Sequence, residues 1–161
     1  MTGANRVEPS AVFLRFGRWA PVVYTAHLID ERFWPPGTAV WATTHTPLVF
    51  TNEAWLLVNV PSLVLFAWAS KQTMRGRWAE WVAVALAIHL VLHALTRVAG
   101  SIGSGTVAPG TITGVVLCLP LAVPLLLDAR RRLTSRDVGT GLVAGVASFQ
   151  PIWHGLLHVL G

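Results

Sequence analysis

The chain is poor in the residues that usually hold small proteins together or carry their chemistry: it has one cysteine, one tyrosine and seven carboxylates in 161 residues. A lone cysteine, Cys118, excludes an internal disulfide and a thiolate metal cluster, and its apolar neighbours make it a packing residue. Charged residues are 12% of the chain against 53% hydrophobic ones, which excludes an ordinary soluble domain, since one core of this size cannot bury such long apolar runs. There is no convincing internal repeat, no glycine-rich phosphate loop and no nucleic-acid motif. The net charge of +5 therefore needs an explanation other than nucleic-acid binding.

What is present is apolar sequence in blocks of membrane length. Crossing a hydrocarbon core takes about 20 residues of helix. Residues 46–70, 78–99, 107–127 and 138–160 meet that requirement. Residues 11–31 are weaker, because Arg15, Arg18 and Pro21 interrupt them. That segment either spans or enters from the interface with both arginines snorkelling. It is a poor signal peptide, because Tyr24, His27, Asp30 and Glu31 fall where a cleavage site would lie. The expectation is an all-α polytopic membrane bundle of about five transmembrane helices, with residues 1–9 a flexible tail and 10–161 one helical domain.

The basic residues then report topology. Arg6, Arg15 and Arg18 precede or open the first segment, Lys71, Arg75 and Arg77 separate the second from the third, and Arg130, Arg131, Arg132 and Arg136 separate the fourth from the fifth. Only Arg32 and Arg97 fall toward the other side. By the positive-inside rule the N-terminus is cytoplasmic.

Given that orientation, helical rise carries His89 and His93 to roughly 17 and 23 Å above the cytoplasmic face, and His154 and His158 to roughly 24 and 30 Å. His27, Asp30 and Glu31 reach roughly 24–30 Å, and Glu53 lies about 11 Å below the outer face. The polar groups thus converge in the outer half of the membrane, where an ionisable side chain is costly and points to function. His27 with Asp30 and Glu31, His89 with His93, and His154 with His158 are spaced three or four apart, which places each set on one helical face. Such sets hold metal ions in helical bundles. The bland alternatives are interhelical hydrogen bonds for His89 and His93, a water-facing His158, and an interfacial His45.

The stretch His27-Leu-Ile-Asp30-Glu31, followed by Phe33, Trp34 and Pro35, resembles the signature of the HXXEE family of small bacterial membrane proteins. Downstream, the histidine-bearing segment at His89 and His93 and the turn Ala108-Pro109-Gly110-Thr111-Ile112-Thr113 are similar to that family's second region. The similarity covers roughly residues 24–128. Asp30 stands where the name-giving motif has its first glutamate, one methylene shorter in reach. The resemblance implies a site and names no reaction.

The favoured expectation is a metal-dependent enzyme acting on a lipophilic substrate from the membrane lipid. His27, Glu31, Glu53, His89, His93, His154 and His158 are its candidate ligands, and Asp30, Glu31 and Glu53 its candidate acid–base groups. Imidazole with carboxylate suits iron, zinc or manganese. A metal-free proton-transfer isomerase or cyclase is the first alternative. A binder of haem or another ligand, or a transport module, is the second. Haem leaves the carboxylates unexplained, and transport by so short a chain requires an oligomer of unknown size. Around the site, Pro109 and Gly110 open a helix whose N–H groups point toward the cluster. Asn52 and Asn59 either orient ligands or bridge helices, and Arg97 either pairs with Asp30 or Glu31 or snorkels outward. Gly141 and Gly145 form a small-residue packing pair, and Pro151 can kink the helix ahead of His154. The eight tryptophans, Trp55 among them, mostly form an interfacial belt.

Overall fold

A computed structural model describes residues 9–46, 51–74 and 80–149, which form six helices and no strand. The first, α1 (Ala11–Phe33), opens at Ser10, whose hydroxyl oxygen accepts the Phe13 N–H at 3.2 Å and donates to Asp128 Oδ2 at 2.7 Å. That oxygen satisfies one of the donors every helix start leaves unpaired. Phe13, Phe16, Ala20, Tyr24, His27, Leu28 and Glu31 are its buried face, a helical stripe that begins aromatic and ends ionisable. Pro21 lies within the helix without ending it.

The helix α2 (Thr38–His45) is short and was not expected. It follows the turn at Trp34–Gly37, where Gly37 adopts φ +82°, a conformation that glycine takes at little cost. Thr38 Oγ1 donates to the Glu31 carbonyl at 2.9 Å, so the start of α2 is tied to the end of α1. Trp41 Nε1 donates to Thr106 Oγ1 at 3.1 Å, which ties α2 to the far loop of the next hairpin. Trp41 is a buried anchor in this short bridging helix rather than a belt residue.

Three further helices are long and apolar enough to cross a membrane: α3 (Asn52–Met74), α4 (Trp81–Ser104) and α5 (Thr111–Arg132). At 23 residues α1 is as long as α3, about 34 Å by helical rise, but its arginines and carboxylates lower its hydropathy. Exposed Leu57, Val64, Ile102 and Val116 line the outer faces of α3, α4 and α5, as lipid contact requires. The chain is an all-α integral membrane protein.

Within α5 the turn Gly114–Cys118 is π-type, with the Leu119 N–H reaching back to the Gly114 carbonyl. Pro120 follows directly; its ring would clash with the carbonyl four residues earlier, and a widened turn removes that clash. The last described helix is α6 (Ser135–Ala147), which covers the first part of the span expected over 138–160; residues 150–160 of that span lie outside the described residues.

The helix α4 sits at the centre, packed on α5, α6, α3 and α1. Its contact with α6 runs through two glycines. A Cβ on Gly141 would stand 2.6 Å from Val84 Cβ, and one on Gly145 would stand 2.7 Å from the Ala85 carbonyl oxygen. The small-residue pair read from the sequence is a backbone-to-backbone seam.

Candidate functional site

The ionisable end of α1, the middle of α4 and the start of α5 meet at one place. On α1, His27 and Glu31 are one turn apart and fully buried, with His27 Nε2 3.4 Å from Glu31 Oε1. His93 of α4 brings Nδ1 to 3.7 Å from the same oxygen. These three side chains form a group whose ligand atoms all lie within 4.8 Å of one another. His89, one turn before His93, stacks obliquely on it with ring centroids 4.9 Å apart, and so extends the cluster without joining the three.

The cluster is short of partners. His27 Nε2, His89 Nε2 and both ring nitrogens of His93 are buried and make no hydrogen bond among the described residues. Buried polar atoms are nearly always paired, so His27 Nε2 and the His93 ring, set beside one carboxylate, have capacity for a further partner. Glu31, by contrast, is well held. Arg97 Nε and Nη2 lie 2.7 and 2.5 Å from Oε1, and Trp55 Nε1 donates to Oε2 at 3.3 Å. Arg97 is therefore the inward counter-ion of Glu31. Trp55, assigned to the interfacial belt by sequence, closes the other side of the carboxylate.

Asp30 faces a different group. It is partly buried and accepts from Thr113 Oγ1 at 2.8 Å and from the Thr113 N–H at 3.4 Å. Thr113 Oγ1 in turn lies 2.9 Å from His27 Nδ1. The Pro109–Gly110 turn delivers this threonine, because Gly110 at φ +84° lets α5 begin against α1. A Cβ there would stand 2.7 Å from Glu31 Cγ and 2.9 Å from His27 Cε1, so the site has room for glycine alone at that position.

Glu53 is not brought into the site. It stands exposed in the first turn of α3, although its depth matches. Depth is fixed by rise but direction by rotation: residues 53 and 55 point about 200° apart on a helix, so turning Trp55 toward Glu31 sends Glu53 outward. His45 is exposed, bonds the Trp41 carbonyl at 2.9 Å through Nδ1 and stacks on the Trp41 ring. Asn59 is buried and donates to the Trp55 carbonyl at 2.8 Å, within its own helix. His154 and His158, like Pro151, lie outside the described residues.

Beside the cluster, between α3, α4 and α6, is an apolar cavity of about 220 Å³. Phe66, Trp68 and Trp81 supply its aromatic wall, and His89 and Ser148 its polar end. None of His27, Glu31 and His93 lines it.

Residues 56–136, half of the chain, match the model of one protein family, VcrB, the chloroethene reductive dehalogenase membrane anchor protein. The matched stretch contains His89, His93, Arg97, Gly110 and Thr113, and begins after His27, Asp30 and Glu31. It is a family of small bacterial membrane proteins, as the sequence signature implied, under a name other than HXXEE. No curated protein and no solved structure matches the chain.

Proposed function

The chain belongs to the VcrB family of reductive dehalogenase membrane anchor proteins, and from that premise we propose that it is an anchor subunit of a bacterial cell membrane carrying a buried metal centre. The anchored partner would be an enzyme of the reductive dehalogenase class. The centre would be held by His27, Glu31 and His93, with His89 beside it. The observation that carries this reading is the buried group of His27, His93 and Glu31, whose ligand atoms lie within 4.8 Å of one another.

The donor set fits a divalent ion. Four ligands at about 2.1 Å in tetrahedral array stand about 3.4 Å apart, and the two nitrogen–oxygen separations here are 3.4 and 3.7 Å. Two imidazoles and a carboxylate suit zinc, iron or manganese. When bound, such an ion supplies a Lewis acid or, for iron and manganese, a redox centre. Glu31 and Asp30 against Arg97 leave the site one negative charge, which offsets part of the ion's two. His154 and His158 are candidates for the remaining ligand position. In this reading the HXXEE-like motif on α1 is the anchor's ligand-bearing helix, with Asp30 in a supporting place.

Two observations favour other readings. Arg97 already neutralises Glu31, which suits a metal-free site passing a proton between Glu31 and His27. The apolar cavity that ends at His89 suits a lipophilic substrate and hence a membrane enzyme, although its walls omit the three ligands.

The deciding experiment is elemental analysis of protein purified in mild detergent without chelator or histidine tag, and again after adding back zinc, iron(II) or manganese. Near-stoichiometric metal that falls by tenfold or more in His93→Ala and Glu31→Gln supports the centre. Absence of metal after add-back removes it and leaves the proton-transfer site. Anchoring is tested apart from this: a co-expressed reductive dehalogenase-class partner should sediment with membranes only when the chain is present.

A further inference from the structure

We propose that Asp30 and Thr113 are positioning residues that lock His27 in one tautomer, with its proton on Nδ1 and the Nε2 lone pair turned toward Glu31. The argument follows single protons. The Thr113 hydroxyl has one hydrogen to give. Its two oxygen neighbours, Asp30 Oδ2 at 2.8 Å and the Gly110 carbonyl at 3.3 Å, are acceptors, so that hydrogen goes to one of them. Towards His27 Nδ1, 2.9 Å away, the hydroxyl can then only accept. The imidazole must carry a proton on Nδ1, and in the neutral ring Nε2 is then a lone pair 3.4 Å from Glu31 Oε1.

Two acceptors facing each other in a buried site repel unless a cation lies between them. A carboxylate reaching a ligand histidine through its other nitrogen fixes both ring orientation and tautomer in metal sites. Here the carboxylate acts one atom further away, through a threonine. Asp30 thereby gains a role that needs no direct contact with an ion, which answers its short stem. The aspartate also fixes Thr113 itself, because it holds both the hydroxyl and the backbone N–H of that residue.

The same arrangement recurs at His89. Its Nδ1 lies 3.3 Å from Ser148 Oγ, and that hydroxyl gives its hydrogen to the Gly145 carbonyl at 2.9 Å. His89 Nε2 is likewise left without a partner among the described residues. Two histidines on two helices therefore present the same nitrogen for the same reason.

This inference deepens the metal-centre reading, but the tautomer belongs to the protein's own residues and is measurable without any ion. The test is side-chain nitrogen NMR on the full chain with ¹⁵N-labelled histidine, in detergent and metal-free, with His27 assigned by its loss in His27→Gln. Wild type should show His27 protonated on Nδ1. Thr113→Val, which keeps the shape and removes the hydroxyl, should move the proton to Nε2, and Thr113→Ser should restore it. Zinc added to the same samples should bind about 10–100-fold more weakly in Thr113→Val. If wild-type His27 carries its proton on Nε2, the inference is overturned without recourse to any variant. It is equally overturned if Thr113→Val keeps the wild-type tautomer. If the tautomers behave as stated and wild type binds no zinc, the positioning role stands and the metal-centre reading falls.

Discussion

At the scale of single residues, the site depends on who faces Glu31. Arg97→Gln removes the counter-ion of a carboxylate with no exposure to solvent. Breaking a buried pair leaves an uncompensated charge and costs about 3 kcal/mol or more. Chemical or thermal unfolding in detergent should show that loss, and the double variant Arg97→Gln with Glu31→Gln should recover most of it. Gly110→Ala acts by space and conformation together. A left-handed backbone costs a non-glycine residue about 1–3 kcal/mol, and the new methyl would meet Glu31 Cγ at 2.7 Å. The expected result is a protein that keeps its helical circular dichroism and loses tenfold or more in zinc affinity. Both variants act on one site, Arg97 from α4 and Gly110 from the turn before α5, so their effects on stability should not add when the two are combined.

At the scale of elements, periodicity and rise made much of the fold legible. The apolar runs located α1, α3, α4 and α5, and the Gly141 and Gly145 spacing located the close face of α6. Spacing by three and four paired His27 with Glu31 and His89 with His93, and helical rise set the two pairs at similar depth. What could not be read was rotation about each helix axis. Glu53 sits at a matching depth but turns outward, while Trp55 turns in. Arg97 had two possible directions, and only packing against α1 decides between them. Thr113 was visible as the end of a Pro-Gly turn, but its partners are more than 80 residues away in sequence. The kink expected at Pro151 falls outside the described residues. The α4–α6 seam yields its own prediction. Gly145→Val would push a branched side chain onto the Ala85 carbonyl and Ile88, so unfolding should shift to lower denaturant by the equivalent of about 1–3 kcal/mol. Gly139→Ala, where nothing lies within 4 Å, is the control and should not destabilise, since alanine is favoured over glycine within a helix by up to about 1 kcal/mol.

At the scale of the whole molecule, orientation is set by the arginines and is open to direct measurement. In a Cys118→Ser background, Gly103→Cys lies near the C-terminal end of α4 and Arg131→Cys near that of α5, at opposite ends of an antiparallel pair. A membrane-impermeant thiol reagent should label the first in intact cells and the second only after permeabilisation. The opposite pattern would place the cluster in the cytoplasmic half. The bond between Glu31 and Arg97 also has a consequence for how this protein is made. The two residues are 66 apart in sequence, so at about 5–20 residues per second the ribosome delivers the arginine roughly 3–13 s after the glutamate. For that interval Glu31 lacks the guanidinium that meets it in the folded protein. Burial of the carboxylate end of α1 therefore waits for α4, although α1 comes earlier in the chain.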